Sequence, residues 1–408
     1  MPHDKASRFP TNLTGDEWVA RARALGPVIA QYRDEGETLR HLPKPLFEAM
    51  RDAGMFHLWV PRAYGGAEVD IETMVRVTEE VSRHDGAAGW NVMIGANTAI
   101  LWAFMDKAAA TKIFADDPNS VIAGTILATQ GRATKVDGGY VINGRWPLAS
   151  GCHHANWMVT ACFIYGADGK PKLGADGQPE PNAFFVPIDE CEILDTWHSA
   201  GLRGTGSHHF QCKEIFVPES RHFASVGAPP VQPGALYSTQ IPTVWGPNVS
   251  AVALGIARDA IDSFIKLAHE KMPTRIPRLL ADQEVVHLKI GQAESLLRSG
   301  RALLIDTIRD TWALMAAEKP VPADLASLVR LACATAVQNA AQATDLMFTA
   351  AGATSIYATS RLERCFRDVH MVSQHGVVGP TNFVLAGRQF LGLTGIGADG
   401  RLHEARKS

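Results

Sequence analysis

Residues 140–157 read YVINGRWPLASGCHHANW, and the fold turns on how this stretch is read. Tyr140 to Ile142 is a short apolar run with β preference. It ends at Asn143-Gly144, a pair favoured in tight hairpin turns because both residues tolerate positive φ. A return strand is expected next, running into the small-residue corner Ala149-Ser150-Gly151. Small residues around a serine leave room for a flat ligand to lie on the backbone. The hydroxyl can give that ligand one hydrogen bond. Taken alone, the stretch also fits an ordinary turn with a solvated serine.

Similar β-rich runs surround it: Val121-Ile122, Trp157 to Tyr165, Ala183 to Ile188 and Gln211 to Val217. Turns such as Asp137-Gly138 separate them, so residues 121–230 are expected to form a small antiparallel β-barrel or sandwich. Gly166 to Pro181, rich in Gly, Pro, Asp and Lys, reads as a solvated excursion between strands. Ala200 to Ser207 (AGLRGTGS) is a second glycine-rich corner, whose backbone N–H groups can meet an anion or a polar ring edge. It is neither a P-loop nor a dinucleotide fingerprint.

Both flanks are helical. In residues 1–120, Thr14-Gly-Asp-Glu17 is a capping box that opens one helix carrying Leu25, Ile29 and Tyr32. Leu42-Pro43-Lys44-Pro45 breaks it and starts the next, which ends at Gly54. Trp59 to Gly66 reads as a loop, and Asp70 caps a helix to about Arg83. Ala87 to Phe104 is nearly uncharged and reads as a helix buried on most sides, with Asn91 and Asn97 inside it. In residues 231–408, Val286, Ile290, Ala293, Leu297, Leu304 and Ile308 keep one long apolar face. Leu328 to Thr349 is apolar nearly all round, as a central bundle helix should be. The whole is an α+β chain with no alternating βαβ pattern.

The chain has 408 residues, 46% hydrophobic and 20% charged, with a formal net charge of −3. No nucleic-acid or anionic-membrane footprint appears. The N-terminus lacks an apolar signal core, and no apolar run is long enough to span a bilayer, so a cytoplasmic protein is expected. The six cysteines are scattered without C-x-x-C spacing, which points to reduced thiols and no metal site.

Several motifs in this order resemble the acyl-CoA dehydrogenase superfamily of flavoproteins. They are Val60-Pro61 to Gly65-Gly66, Gly139 to Gly144 with Ala149-Ser150-Gly151, Gly201 to Thr205 leading to Val217-Pro218, and Arg364-Cys365-Phe366-Arg367-Asp368. The resemblance implies an N-terminal α-domain, a middle β-domain and a C-terminal four-helix bundle, usually in tetramers. It also implies a flavin between the β-domain and the bundle.

A dehydrogenase of this superfamily needs a carboxylate base to take the substrate proton. No Asp or Glu occurs between Asp368 and Asp399, nor between Glu219 and Asp259, the two places where the family keeps that base. Ser373-Gln374-His375 stands there instead. With Ala149-Ser150-Gly151, it resembles the two-component flavin-dependent monooxygenase branch, which includes the oxygenase components of p-hydroxyphenylacetate hydroxylase and dibenzothiophene monooxygenase. These take reduced FMN or FAD from a separate NAD(P)H-flavin reductase, form a flavin C4a-hydroperoxide with O2, and oxygenate small aromatic or heteroaromatic compounds.

By that resemblance, Ser150 and His375 are the catalytic expectations, with Ser150 near flavin N5 and His375 a base or hydrogen-bond donor. Trp146, Ala149, Ser150, Gly151, Arg203, Thr205 and Ser207 are expected along the flavin. Asn91, Asn97 and His375 are expected at the substrate. Arg364, Arg367 and Asp368 are assigned to a helix end or a subunit contact. Where phenol hydroxylases of the group often carry an acid, this chain has His153 or His154. C-, N- and S-oxygenation therefore all stay open. The alternative is a dehydrogenase or oxidase that uses His375 or another base, and a flavin-binding scaffold without catalysis is a third reading.

Overall fold

The computed structural model describes residues 10–126, 130–174, 177–224, 228–238, 241–274, 276–396 and 402–404. Six helices come first: α1 (Gly15–Ala24), α2 (Gly26–Leu39), α3 (Lys44–Asp52), α4 (Ile71–His84), α5 (Gly86–Ala99) and α6 (Lys107–Asp116). Eight strands follow: β1 (Ile122–Thr125), β2 (Arg132–Val136), β3 (Gly139–Ala149), β4 (Trp157–Tyr165), β5 (Pro181–Pro187), β6 (Glu192–Leu194), β7 (His208–Pro218) and β8 (His222–Ala224). The bundle helices are α7 (Ile241–Glu270), α8 (Glu284–Ala316), α9 (Ala323–Ala351), α10 (Arg361–Val372) and α11 (Thr381–Phe390). Helices, sheet and helices thus follow one another in the expected order.

Local chemistry sets the helix starts. The Thr14–Glu17 capping box is formed, and the Asp70, Asp85 and Asp106 side chains each accept from a first-turn N–H of α4, α5 and α6. The single first helix expected from the sequence is in fact two. Pro27 has no N–H to give the preceding turn, so the chain breaks at Leu25-Gly26. Gly26 permits the bend, because a Cβ there would stand 2.6 Å from the His84 ring.

One apolar core runs through both helical regions and includes Trp18, Val77, Leu254, Phe264 and Met347, all fully buried. α9 packs against α7, α8, α10 and α11, the central place its all-round apolar sequence requires. The predicted stripe on α8 is buried at Val286, Ala293, Leu297, Leu304 and Ile308.

The sheet has the order β6-β7-β3-β2-β4-β5-β8, with β1 also paired to β4. Most pairings are antiparallel as expected, but β1 and β2 run parallel to β4, so the sheet is mixed. The reason is the connection after β3. It crosses the end of β2 to reach β4 and does not fold straight back. Residues 149–156 are therefore a crossover at one end of the sheet.

The expected hairpin at Asn143-Gly144 is not there. β3 runs straight through it, and the β2–β3 turn is Asp137-Gly138, with Val136 opposite Gly139 and Gly138 at φ 73°. Asn143 marks a bulge instead: it donates to the Glu214 carboxylate (2.6 Å) and accepts from the Glu214 N–H (2.9 Å), while Glu214 sits at φ 53°. The Asn side chain satisfies the ladder groups that the bulge leaves open. The excursion after β4 is largely exposed; residues 175 and 176 lie outside the described residues.

One face of the sheet buries Tyr140, Ile142, Trp146, Phe184 and Phe210. The other packs Val159 and Phe185 on Trp102 and Phe114 of the N-terminal helices.

Candidate active site

The two glycine corners meet because β3 and β7 pair, which sets Ala149 opposite His208. The Gly151 N–H donates to the Thr205 carbonyl at 2.9 Å. Three hydroxyls then form a buried chain: Thr205 Oγ1 to Ser207 Oγ at 2.7 Å, and Ser207 Oγ to Ser150 Oγ at 2.6 Å. The Trp90 indole N–H of α5 donates to Ser150 Oγ at 3.0 Å. Three hydroxyls carry three protons, and two bonds between them use two. One O–H is left to donate outside the chain. Ser150 is that donor in the arrangement in which Thr205 donates to Ser207 and Ser207 donates to Ser150; in the other arrangements it is Ser207 or Thr205.

Trp90 also connects this group to the bundle. Its ring meets the His375 ring edge-on, centroids 5.7 Å apart at 65°. His375 follows α10, which ends at Val372. Its Nδ1 accepts from the Val377 N–H at 3.4 Å, so the proton of the neutral ring is on Nε2 and the ring presents a donor. Burial lowers the His375 pKa below the usual imidazole value, which keeps the ring neutral at pH 7.

The other expected residues separate into those at this place and those elsewhere. Ser150, Gly151 and Asn91 line a cavity between α3, α5 and the start of β1. Asn91 Nδ2 donates to the Ala87 carbonyl (2.9 Å) and the Gly204 carbonyl (3.3 Å), so it pins the second corner to α5. Asn97 is not at the cavity. It is 1% exposed and accepts from Asn248 at 3.0 Å, while Asn248 in turn accepts from the Thr78 hydroxyl at 2.6 Å. Helix geometry explains this: positions i and i+6 sit about 120° apart on the helix surface, whereas i+3 and i+4, Ile94 and Gly95, share the cavity with Asn91.

Trp146 is also misplaced by the sequence reading. It lies in the core on one face of the sheet, stacks on Phe210 (5.1 Å, 20°) and donates to the Ala161 carbonyl at 2.8 Å. A bulge between Trp146 and Ala149, with Leu148 at φ 62°, turns both residues inward. Arg203 faces α2: its Nε donates to the Glu37 carbonyl at 3.2 Å and its NH1 to the Ser199 carbonyl at 3.3 Å. Sequence reasoning missed Trp90. Its one signal was its place on the uncharged helix, directly before Asn91.

The Arg-Asp motif of α10 grips the other end of the second corner. The Leu202 N–H donates to Asp368 Oδ1 at 2.6 Å, and the Arg367 guanidinium donates to the Ala200 carbonyl. Arg361 binds Asp259 at 2.6 Å and lies 3.6 Å from Asp85. Burial, with Asp85 adding to it, pushes the Asp368 pKa up to about 7 against the pull of the Leu202 N–H. These side chains serve the fold within one chain.

Among the described residues no group of His, Cys, Asp and Glu could hold a metal ion, and no helix is long and apolar enough to cross a membrane.

Comparison with known proteins extends these observations. The acyl-CoA dehydrogenase N-terminal domain family matches residues 20–112, and the acyl-CoA dehydrogenase C-terminal domain family matches residues 248–380. The chain is 31% identical to the indole-3-acetate monooxygenase of Pseudomonas putida over 388 residues, covering 91% of this chain and 95% of that protein. It is 29% identical to the flavin-dependent monooxygenase oxygenase subunit HsaA of Mycobacterium tuberculosis over 384 residues, 91% of this chain and 95% of that one. Among solved structures, XiaF from a Streptomyces species, in complex with FADH2 and glycerol, superposes with a TM-score of 0.87 at 25% identity. That match covers 94% of this chain and 97% of XiaF.

Proposed function

Because the chain belongs to the flavin-dependent monooxygenase branch of the acyl-CoA dehydrogenase superfamily, we propose that it is the oxygenase component of a two-component system acting on a small aromatic or heteroaromatic compound. The observation that carries the reading is the hydroxyl chain, which leaves one O–H to donate outside the chain, beside Trp90 and His375. A reduced flavin ring fits this donor set. Ser150 offers a donor to a ring nitrogen, and Gly151 at φ 77° leaves no Cβ in the way. Reduced flavin, bound as FMN or FAD, supplies the electrons that activate O2.

The protein residues do the remaining work. Ser150 orients the ring through its outward O–H, and Thr205 and Ser207 hold that hydroxyl in place. Trp90 excludes water between Ser150 and His375. His375 donates at Nε2 to the reacting oxygen or the substrate. The absence of acid between Asp368 and Asp399 speaks against the dehydrogenase alternative.

Electrons then come from a separate NAD(P)H-dependent flavin reductase in the cytoplasm. The assembly is a homo-oligomer, most simply a tetramer. α9 is covered within the chain, so the contact falls to the exposed apolar side chains Val384, Phe390, Leu391 and Leu393 on and after α11. A monomeric mass by light scattering would refute the assembly.

Flavin titration tests the function. Under anaerobic conditions reduced FMN or FAD should bind at least tenfold tighter than the oxidised form. A protein that purifies yellow with tightly held oxidised flavin would overturn the reading in favour of the dehydrogenase or oxidase.

A further inference from the structure

Behind the second glycine corner lies a cluster of imidazoles. His208 opens β7, one residue after Ser207, and is buried. Its Nδ1 accepts two backbone N–H groups, from Thr196 at 3.2 Å and Trp197 at 3.3 Å. An Nδ1 that accepts carries no proton, so this ring is neutral with its proton on Nε2. The His153 ring stands edge-on to it, centroids 4.9 Å apart at 84°, and the His41 ring lies 4.6 Å from His153. His41 and His153 close over Gly206, where an added Cβ would stand 3.1 Å from His41 and 3.3 Å from His153. The titratable groups facing His208 are these two rings, the Cys152 thiol, Asp195 and Arg40. Asp195 Oδ1 lies 3.6 Å from the same Nδ1, and Arg40, just past α2, holds Asp195 at 2.6 and 3.1 Å. Burial pushes the Cys152 thiol up to about 12 and is the first cause that brings His153 down to about 4, so both stay neutral near pH 6. Burial lowers the His208 pKa as well, against the pull of Asp195.

We propose that His208 is a positioning residue for the corner that receives the flavin: its neutral ring ties residues 196–197 to the start of β7, and a proton on Nδ1 turns the ring from those N–H groups to Asp195 and frees the corner. The inference rests on the flavin reading of the two corners and adds a control to it. The choice is exclusive, because one nitrogen lone pair cannot hold a proton and accept N–H groups at once. On protonation Thr196 and Trp197 lose their acceptor, and Nδ1–H becomes a donor beside a carboxylate. The Asp195 side chain is 65% exposed, so it is free to turn from Arg40. The released segment runs directly into the second corner. The Trp197 indole N–H donates to the Leu202 and Arg203 carbonyls (3.2 and 3.1 Å), and the Thr196 hydroxyl accepts from the His209 N–H (2.8 Å). Through Ser207, the chain neighbour of His208, the loss reaches Thr205 and Ser150. The sign follows from the direction of the shift. A histidine held below its ordinary value of about 6.5 stabilises the fold fully above that pH, and the contribution is lost as the pH falls below it.

The experiment follows amide hydrogen exchange of residues 195–199 in the flavin-free protein from about pH 7.5 to about pH 5.5, corrected for the intrinsic pH dependence of exchange. One proton taken up only by the open form, at about pH 6.5, makes opening about tenfold easier over that range, so protection should fall by about that factor. His208→Gln keeps a carbonyl acceptor and cannot take the proton, so its protection should stay within about twofold. Reduced FAD affinity, measured without oxygen, should fall more steeply in wild type than in His208→Gln; titration of the flavin itself is common to both. Asp195→Asn, at an exposed position, removes the carboxylate that the charged ring turns to, so the fall in protection should move to lower pH. Unchanged wild-type protection would overturn the proposal, as would the same fall in His208→Gln. If the Gln variant does not fold, an Asp195→Asn profile that coincides with wild type overturns it instead. Protection is read without flavin, so a protein that shows the switch but binds no reduced FAD fails the flavin reading alone.

Discussion

The second glycine corner, residues 200–207, is held at its two ends by opposite chemistry. At the start, charges hold it: Asp368 takes the Leu202 N–H, Arg367 takes the Ala200 carbonyl, and Arg361 stands between Asp259 and Asp85 behind them. At the finish, neutral groups hold it: Thr205 and Ser207 chain to Ser150 and Trp90. The charged end is aimed at its own partners and presents nothing to the cavity. The neutral end has one O–H to spare. A site for a flat, weakly polar ring wants few fixed charges nearby, because each would have to be desolvated when the ring enters. The chain puts its ions one loop-length away, where they fix the backbone, and leaves hydroxyls and an indole at the site.

If the charged end fixes the backbone, breaking it should cost the most. Arg361→Leu leaves Asp85 and Asp259 buried without their shared guanidinium, a loss of about 3–5 kcal/mol of stability. Denaturant unfolding measures it, and a loss below about 1 kcal/mol would mean that the network is not what holds the corner.

At the neutral end the fold should survive and the chemistry suffer. His375→Ala should cut oxygenation by about 10²–10⁴-fold. Reduced-flavin affinity should stay close to wild type. A structural histidine would behave in the opposite way, lowering melting temperature and flavin affinity together.

The smallest effect belongs to the hydroxyl itself. Ser150→Ala removes one hydrogen bond at the reacting centre, worth about 1–3 kcal/mol. It should appear as more hydrogen peroxide released per oxygen consumed, with an unchanged melting temperature. Unchanged coupling would show that the spare O–H points elsewhere.

Much of this was legible in the sequence. The Ala149-Ser150-Gly151 corner, the missing acids around His375 and the apolar stripes of α8 and α9 depend on local composition and spacing, which the chain displays directly. The failures have a common cause. Asn143-Gly144 looks like a hairpin turn, yet whether such a pair turns or bulges depends on the partner strand, here Glu214 on β7. Trp146 and Ala149 should face opposite sides by simple alternation, and only the bulge at Leu148 brings both inward. Trp90 becomes a site residue only because Ser150 and His375, 60 positions after it and far along the bundle, arrive on either side of it. Asn97 is different. The six-residue spacing from Asn91 already placed it on another helix face, so that error was avoidable from the sequence.

The central claim is that this chain transfers an oxygen atom from O2, using electrons brought in by reduced flavin. The direct measurement is a single-turnover reaction of the protein with reduced FAD, indole and isotopically labelled ¹⁸O2, followed by mass spectrometry of the product. The account predicts an oxygenated ring carrying one labelled atom. It also predicts no reduction of oxidised flavin by the substrate when oxygen is absent. A product with unlabelled oxygen, or flavin reduced by substrate alone, would contradict it.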